Sequence, residues 1–207
     1  MLLKLIFNNA KLYGYLNLFN ITLFEIIYLI RFRKLDLFYK EKSNHEYKFI
    51  RKSRYNSPHL PTPYYFIYLI NKILKNKIKK FTLIDFGCGS CRVINYFCYK
   101  VKKVIGIDID QSYKKYRLNN KQIFYSFDIR KKNLKQIIKD NDYILYFFEP
   151  FELDLVKKII SNFNNKRLII ILINYNIKEF KNLKKIYSNF WSKTKGIIIF
   201  SNFEFKK

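Results

Sequence analysis

Leu83-Ile84-Asp85-Phe86-Gly87-Cys88-Gly89-Ser90-Cys91-Arg92 decides the fold of this chain. Its first half continues an apolar run from Phe81, the pattern of a strand buried on both faces. It ends in a turn with two glycines, where the backbone can bend sharply and approach a ligand with no side chain in between. A helix is predicted over Cys91–Tyr99. Lys103–Asp108 is a second apolar run, and it ends in an acidic residue 23 positions after Asp85. Further on, Gln122–Phe127, Tyr143–Phe148 and Arg167–Ile173 read as the third to fifth strands. The segments Gln111–Asn119, Leu134–Lys139 and Leu153–Phe163 between them read as helices. Lys184–Trp191 and Ile197–Phe203, joined through a turn at Lys193–Gly196, complete the chain as a hairpin. This alternation predicts an α/β protein with a Rossmann-like, mostly parallel sheet and a C-terminal antiparallel hairpin. Ligands of such sheets bind beyond the C-terminal ends of the strands, so Asp85, Asp108, Asp128 and Glu149 are the acidic residues to watch.

Composition sets the outer bounds. The chain has 207 residues, 49% of them apolar and 19% aromatic, enough for one domain with an appendage. That excludes a disordered chain and a disulfide scaffold, and 5 Gly with 4 Pro exclude collagen-like and low-complexity classes. Lys and Arg number 41 against 15 Asp and Glu, a net charge of +26. Such an excess suits nucleic acid or an anionic membrane. It also arises when A+T-rich codons raise Lys, Asn, Ile, Phe and Tyr together, and here the basic residues are spread along the chain. The charge alone names no partner. Cys88, Cys91 and Cys98 lie close together, but a zinc site needs four ligands and the only histidines, His45 and His59, stand well upstream. The cysteines therefore read as small buried side chains in a reducing cytoplasm, with no metal.

Leu12–Ile30 is mostly apolar and is followed by Arg31, Arg33 and Lys34. Its length matches a bilayer span, yet Glu25 at its centre would cost roughly 2.5–3.5 kcal/mol in lipid. On a helical wheel Leu16, Phe19, Leu23, Ile26, Ile27 and Ile30 share one face, with Asn17, Thr22 and Glu25 away from it. Packing on the main domain, lying in a membrane interface through residues 12–34, and spanning are the three readings, in that order. Residues 1–56 are expected to form this helix and a basic linker, and residues 57–207 the main domain. Thr62 suits a helix N-cap and Pro63 a first helical position, so a helix is predicted from there to about Leu74.

Two stretches, Leu83-Ile84-Asp85-Phe86-Gly87-Cys88-Gly89 and Val104-Ile105-Gly106-Ile107-Asp108, resemble the class I S-adenosylmethionine-dependent methyltransferases. The resemblance covers about residues 81–203, including the hairpin that completes the family's seven-stranded sheet. It implies S-adenosyl-L-methionine as cofactor, with Asp85, Gly87, Cys88 and Gly89 in the loop under its methionine part. Asp108 would hold the ribose, with Ile109 beside it, and Asp128 would lie near the adenine. The family often has a third glycine where Cys91 stands. Glu149-Pro150-Phe151 occupies the place of the family's fourth motif, as a degenerate match: Glu149 would handle the amine proton, and Pro150 and Phe151 would pack the acceptor. Pro61-Thr62-Pro63-Tyr64 resembles a segment that precedes the core in small bacterial members, which implies Thr62 and Tyr64 at the cofactor and Tyr65 near the substrate. The acceptor favoured is a protein lysine or small amine. RNA is the alternative, and a non-catalytic adaptor at a membrane or in a complex is a third reading. The oligomeric state is not legible.

Overall fold

The computed structural model describes residues 13–32, 62–119, 121–131, 133–149, 151–180, 182–192 and 195–204. The linker expected at 34–56, both histidines, Pro61, Pro150 and the expected boundary near residue 56 lie outside them. Seven strands form one sheet: β1 (Thr82–Phe86), β2 (Lys103–Asp108), β3 (Ile123–Ser126), β4 (Asp142–Phe148), β5 (Arg167–Ile173), β6 (Lys184–Phe190) and β7 (Gly196–Ser201). Their order is β3-β2-β1-β4-β5-β7-β6. The first five run parallel, and β7 is inserted antiparallel between β5 and β6. This is the expected Rossmann-like architecture, and the order reverses between β1 and β4, the place where such sheets open a crevice.

The central strands carry unbroken apolar runs because both faces are covered. On one face Leu83, Val104, Ile144, Ile169 and Ile171 pack under α1 (Tyr15–Phe32), α2 (Tyr64–Leu74) and α3 (Arg92–Phe97). On the other, Ile84, Ile105, Leu145 and Ile170 pack with Val156 and Ile159 of α4 (Leu153–Ser161). Asp85, Gly106, Asp108 and Tyr146 alternate onto the α1–α3 face by the period of two along each strand.

Three local expectations change. The segments after β2 and β3 are short 3₁₀ turns, Gln111–Tyr116 and Leu134–Gln136, rather than α-helices. At α2 the N-cap is Pro63, and no local side chain caps the helix. The Tyr64 backbone N–H instead donates to Glu25 Oε1 at 2.9 Å, a cap from 39 residues upstream. Thr62 is thereby released from the capping role its position suggested. Helix α1 does pack on the domain, through Phe24, Glu25 and Tyr28, the flank opposite its apolar stripe. Among the described residues no helix is long and apolar enough to cross a membrane.

Candidate active site

Two glycines give the turn after β1 its shape. Gly87 and Gly89 have φ of +74° and +44°, in the left-handed region where a Cβ is penalised. The turn is stitched to β2, with the N–H groups of Gly87 and Cys88 donating to the Ile107 carbonyl at 2.8 and 3.1 Å. Cys91 also sits at φ +65°, although it has a side chain. A glycine there would relieve that strain, but the buried thiol fills the turn and points to the Tyr113 carbonyl at 3.5 Å. Gly106 in β2 is required from the other side: a Cβ on it would lie 2.7 Å from Cys88 Sγ. The cysteines Cys88, Cys91 and Cys98 are unpaired.

Asp85 and Asp108 meet at this turn. Asp85 is 3% exposed, and its carboxyl is held well above the usual carboxylate range by burial and, second, by Asp108. Burial raises Asp108 as well, partly offset by backbone N–H groups. Its Oδ2 accepts from Gly89 N at 2.9 Å and its Oδ1 from Asp110 N at 3.0 Å. The Ile109 N–H also bonds this carboxylate, which still keeps acceptor capacity for a further donor. Beside Asp85 in the register stands Tyr146, fully buried, its phenol pushed well up by burial. Thr62 and Asp85 are the polar side chains that bear on its hydroxyl. A buried acid, a half-buried acid and a buried phenol, with no cation paired to the acids among the described residues, suit a ligand that brings positive charge and hydroxyl donors.

Around this centre the other expected residues divide. Ile109, 46% exposed, stands next to Asp108 with an apolar side chain open to a ligand. Asp128 is engaged: Arg130 Nε and Nη2 donate to its two oxygens at 2.8 and 2.7 Å, which lowers its pKa. Tyr64 is buried between Tyr28, stacked at 4.6 Å, and the Arg92 guanidinium. Tyr65 packs against Phe24 at 5.4 Å and Phe66 at 5.9 Å. The loop after β4 carries Glu149, at φ +46° and with its side chain 45% exposed, 4.0 Å from Lys195 Nζ. Burial, and secondarily the Glu149 charge, raise the pKa values of Tyr13 and Tyr175. Tyr175 pins the loop, its hydroxyl donating to the Phe151 carbonyl at 3.1 Å and accepting from the Phe151 N–H at 3.4 Å. Phe151 itself is half-buried against the α4 face of the sheet.

Sequence reasoning missed Tyr146, Tyr175 and Arg92. The two tyrosines sit in or just after strands that read as plain core. Arg92 is 2% exposed and donates to Glu25 Oε1 at 3.0 Å and to the Thr62 carbonyl at 3.2 Å. It ties the end of the glycine turn to α1 and to the start of α2.

No family model matches this sequence, and no curated protein does. Solved structures do resemble the fold. The N-methyltransferase NodS from Bradyrhizobium japonicum WM9, crystallised with S-adenosyl-L-homocysteine, is 8% identical, with a TM-score of 0.51 over 70% of this chain and 89% of that one. A conserved hypothetical protein from Streptococcus pyogenes is also 8% identical, with a TM-score of 0.51 over 65% of this chain and 93% of that one. An RNA methyltransferase from Salinibacter ruber, in complex with S-adenosyl-L-homocysteine, is 13% identical, with a TM-score of 0.49 over 72% of this chain and 97% of that one. The first two share with this chain the seven-stranded Rossmann-like fold.

Proposed function

We propose that the chain is an S-adenosylmethionine-dependent methyltransferase of the cytoplasm that methylates an amine, a protein lysine or a small amine. The observation that carries the reading is the pair of acids, Asp85 buried and Asp108 half-buried, joined to the glycine turn at the ends of β1 and β2. Asp108 would accept the ribose hydroxyls with its remaining lone pairs, and Ile109 would cover one face of the adenine. Asp85 and Tyr146 would meet the cationic methionine end, which favours the ionised form of Asp85 that burial otherwise disfavours. The likeness to NodS, an N-methyltransferase, supports an amine acceptor. Bound there, S-adenosylmethionine supplies a methyl group on a sulfonium, open to in-line displacement with the electron pair departing on sulfur.

The chain's own task is alignment, exclusion of water and removal of one proton. A free lysine with a pKa near 10.4 must lose a proton at neutral pH, at a cost of roughly 4–5 kcal/mol. Glu149 would take that proton or hold the amine by a hydrogen bond, on a loop that Tyr175 fixes in place. Its left-handed backbone is the kind of local strain that accompanies positioned catalytic groups. Pro150 and Phe151 would pack against the acceptor.

Transfer of tritiated methyl from S-adenosylmethionine to a panel of lysine-rich proteins, small amines and RNA tests the assignment. We expect label in an amine acceptor. In Glu149→Gln, kcat should fall about 10- to 1000-fold while affinity for S-adenosylhomocysteine stays within about twofold. Label in RNA alone would overturn the amine reading, and an unaffected Glu149→Gln enzyme would overturn the role given to Glu149.

A further inference from the structure

The N-terminal helix is the least ordinary surface of the molecule. Leu16, Phe19, Ile26 and Ile30 are 84%, 69%, 50% and 72% exposed, with Leu23 and Ile27 beside them. At about 100° per residue, these six side chains fill an arc of roughly 100° that runs about 21 Å along α1. The buried residues Glu25 and Tyr28, with Ile21 and Phe24, lie on the opposite side. Buried contacts fix this orientation. Glu25 Oε1 accepts from Arg92 Nη1 at 3.0 Å and from Tyr64 N at 2.9 Å, and the Tyr28 and Tyr64 rings stack at 4.6 Å. Turning the stripe inward would expose that buried ion pair, so the protein holds its apolar face outward. A monomeric soluble protein rarely shows such a contiguous patch without a partner.

We propose that this face of α1 docks the protein on a bilayer containing anionic phospholipid, with the helix lying in the interface plane. The open apolar stripe and the charge beside it together select that occupant. The chain carries +26, and Arg31, Arg33 and Lys34 follow the stripe directly in the sequence. Anionic headgroups complement that charge, whereas pairing two stripes would bring two +26 chains together against their repulsion. The helix carries its one acid, Glu25, on the protein side, away from lipid. That is the arrangement of an interfacial helix, and it removes the cost the sequence assigns to a central glutamate. Because Glu25 grips Arg92 at the end of the glycine turn, docking would also bring the candidate active site close to the membrane surface. The docking itself does not depend on the methyl-transfer assignment.

The test uses the full chain and co-sedimentation with vesicles of phosphatidylcholine alone or with a minority of phosphatidylglycerol. A triple variant, Leu16→Ser, Phe19→Ser and Ile26→Ser, should keep its melting temperature, because these side chains face solvent. Its binding to anionic vesicles should fall at least about tenfold. In a Phe19→Trp variant, brominated lipid should quench emission beyond that of the wild type, whose single tryptophan is Trp191. Three results would overturn the proposal. One is no binding of the wild type to anionic vesicles. Another is binding that the triple variant retains, or that leaves Phe19→Trp unquenched, since charge alone would then be responsible. The third is a wild-type dimer, measured by sedimentation without lipid, that the triple variant dissolves while vesicle binding is absent.

Discussion

Asp85 sits where burial works against its charge, and the sign of that effect can be measured. Its folded pKa is raised, so the native state holds the proton more tightly than the unfolded chain does. Stability from this group is complete below the unfolded carboxylate pKa and is lost as pH rises through the folded value. Asp85→Asn should therefore raise the melting temperature of the ligand-free protein at pH 7–8 and lose that advantage as pH falls toward 4. Calorimetric melts across that pH range check it, and a stabilisation that grows on acidification would contradict it. Gly106 makes a second case. Gly106→Ala would press a methyl group to 2.7 Å from Cys88 Sγ and displace the glycine turn. We expect a loss of about 1–3 kcal/mol in urea melts, partly restored by adding Cys88→Ala. At this scale Asp85, Asp108 and the two glycines were legible, because strand ends and their spacing are local signals. Tyr146 and Tyr175 were not, because a phenol in or beside an apolar strand looks like core until its hydroxyl is placed.

Helix α1 shows what an element's sequence does and does not disclose. The wheel separates an apolar stripe from Asn17, Thr22 and Glu25, yet the apolar side is the one left open. What decides is Glu25, whose partners Arg92 and Tyr64 lie 67 and 39 residues away and cannot be paired by local pattern. Glu25→Ala would leave the Arg92 guanidinium buried without this carboxylate, a loss of about 3–5 kcal/mol by comparison with other buried pairs. We expect a lower melting temperature and faster proteolysis within residues 15–32, with Glu25→Gln less affected because its amide oxygen can still cap Tyr64. Equal protease resistance of Glu25→Ala and wild type would show that the pair does not hold the helix. The strands were legible to within a residue or two because unbroken apolar runs mark burial on both faces. The segments Gln111–Tyr116 and Leu134–Gln136 were over-read as α-helices, where the chain makes only 3₁₀ turns.

For the whole molecule, the sheet order puts the glycine turn, Asp108 and the Glu149 loop at the C-terminal ends of β1, β2 and β4, around the point where the order reverses. The free edge strand β6 is guarded by Lys184, Lys185 and a register shift between Lys185 and Tyr187, devices that discourage edge-to-edge aggregation. The architecture was therefore readable from the alternation of apolar runs. The acceptor was not, because the loops that would meet it carry few chemically distinctive residues. Calorimetric binding of S-adenosylmethionine and S-adenosylhomocysteine to the wild type and to Asp108→Ala is the direct test of a cofactor site at the glycine turn. Both compounds should bind the wild type with micromolar affinity, weakened about 10- to 100-fold in a variant whose fold circular dichroism confirms. A folded wild type that binds neither compound, or an Asp108→Ala protein that binds them as tightly, would contradict such a site.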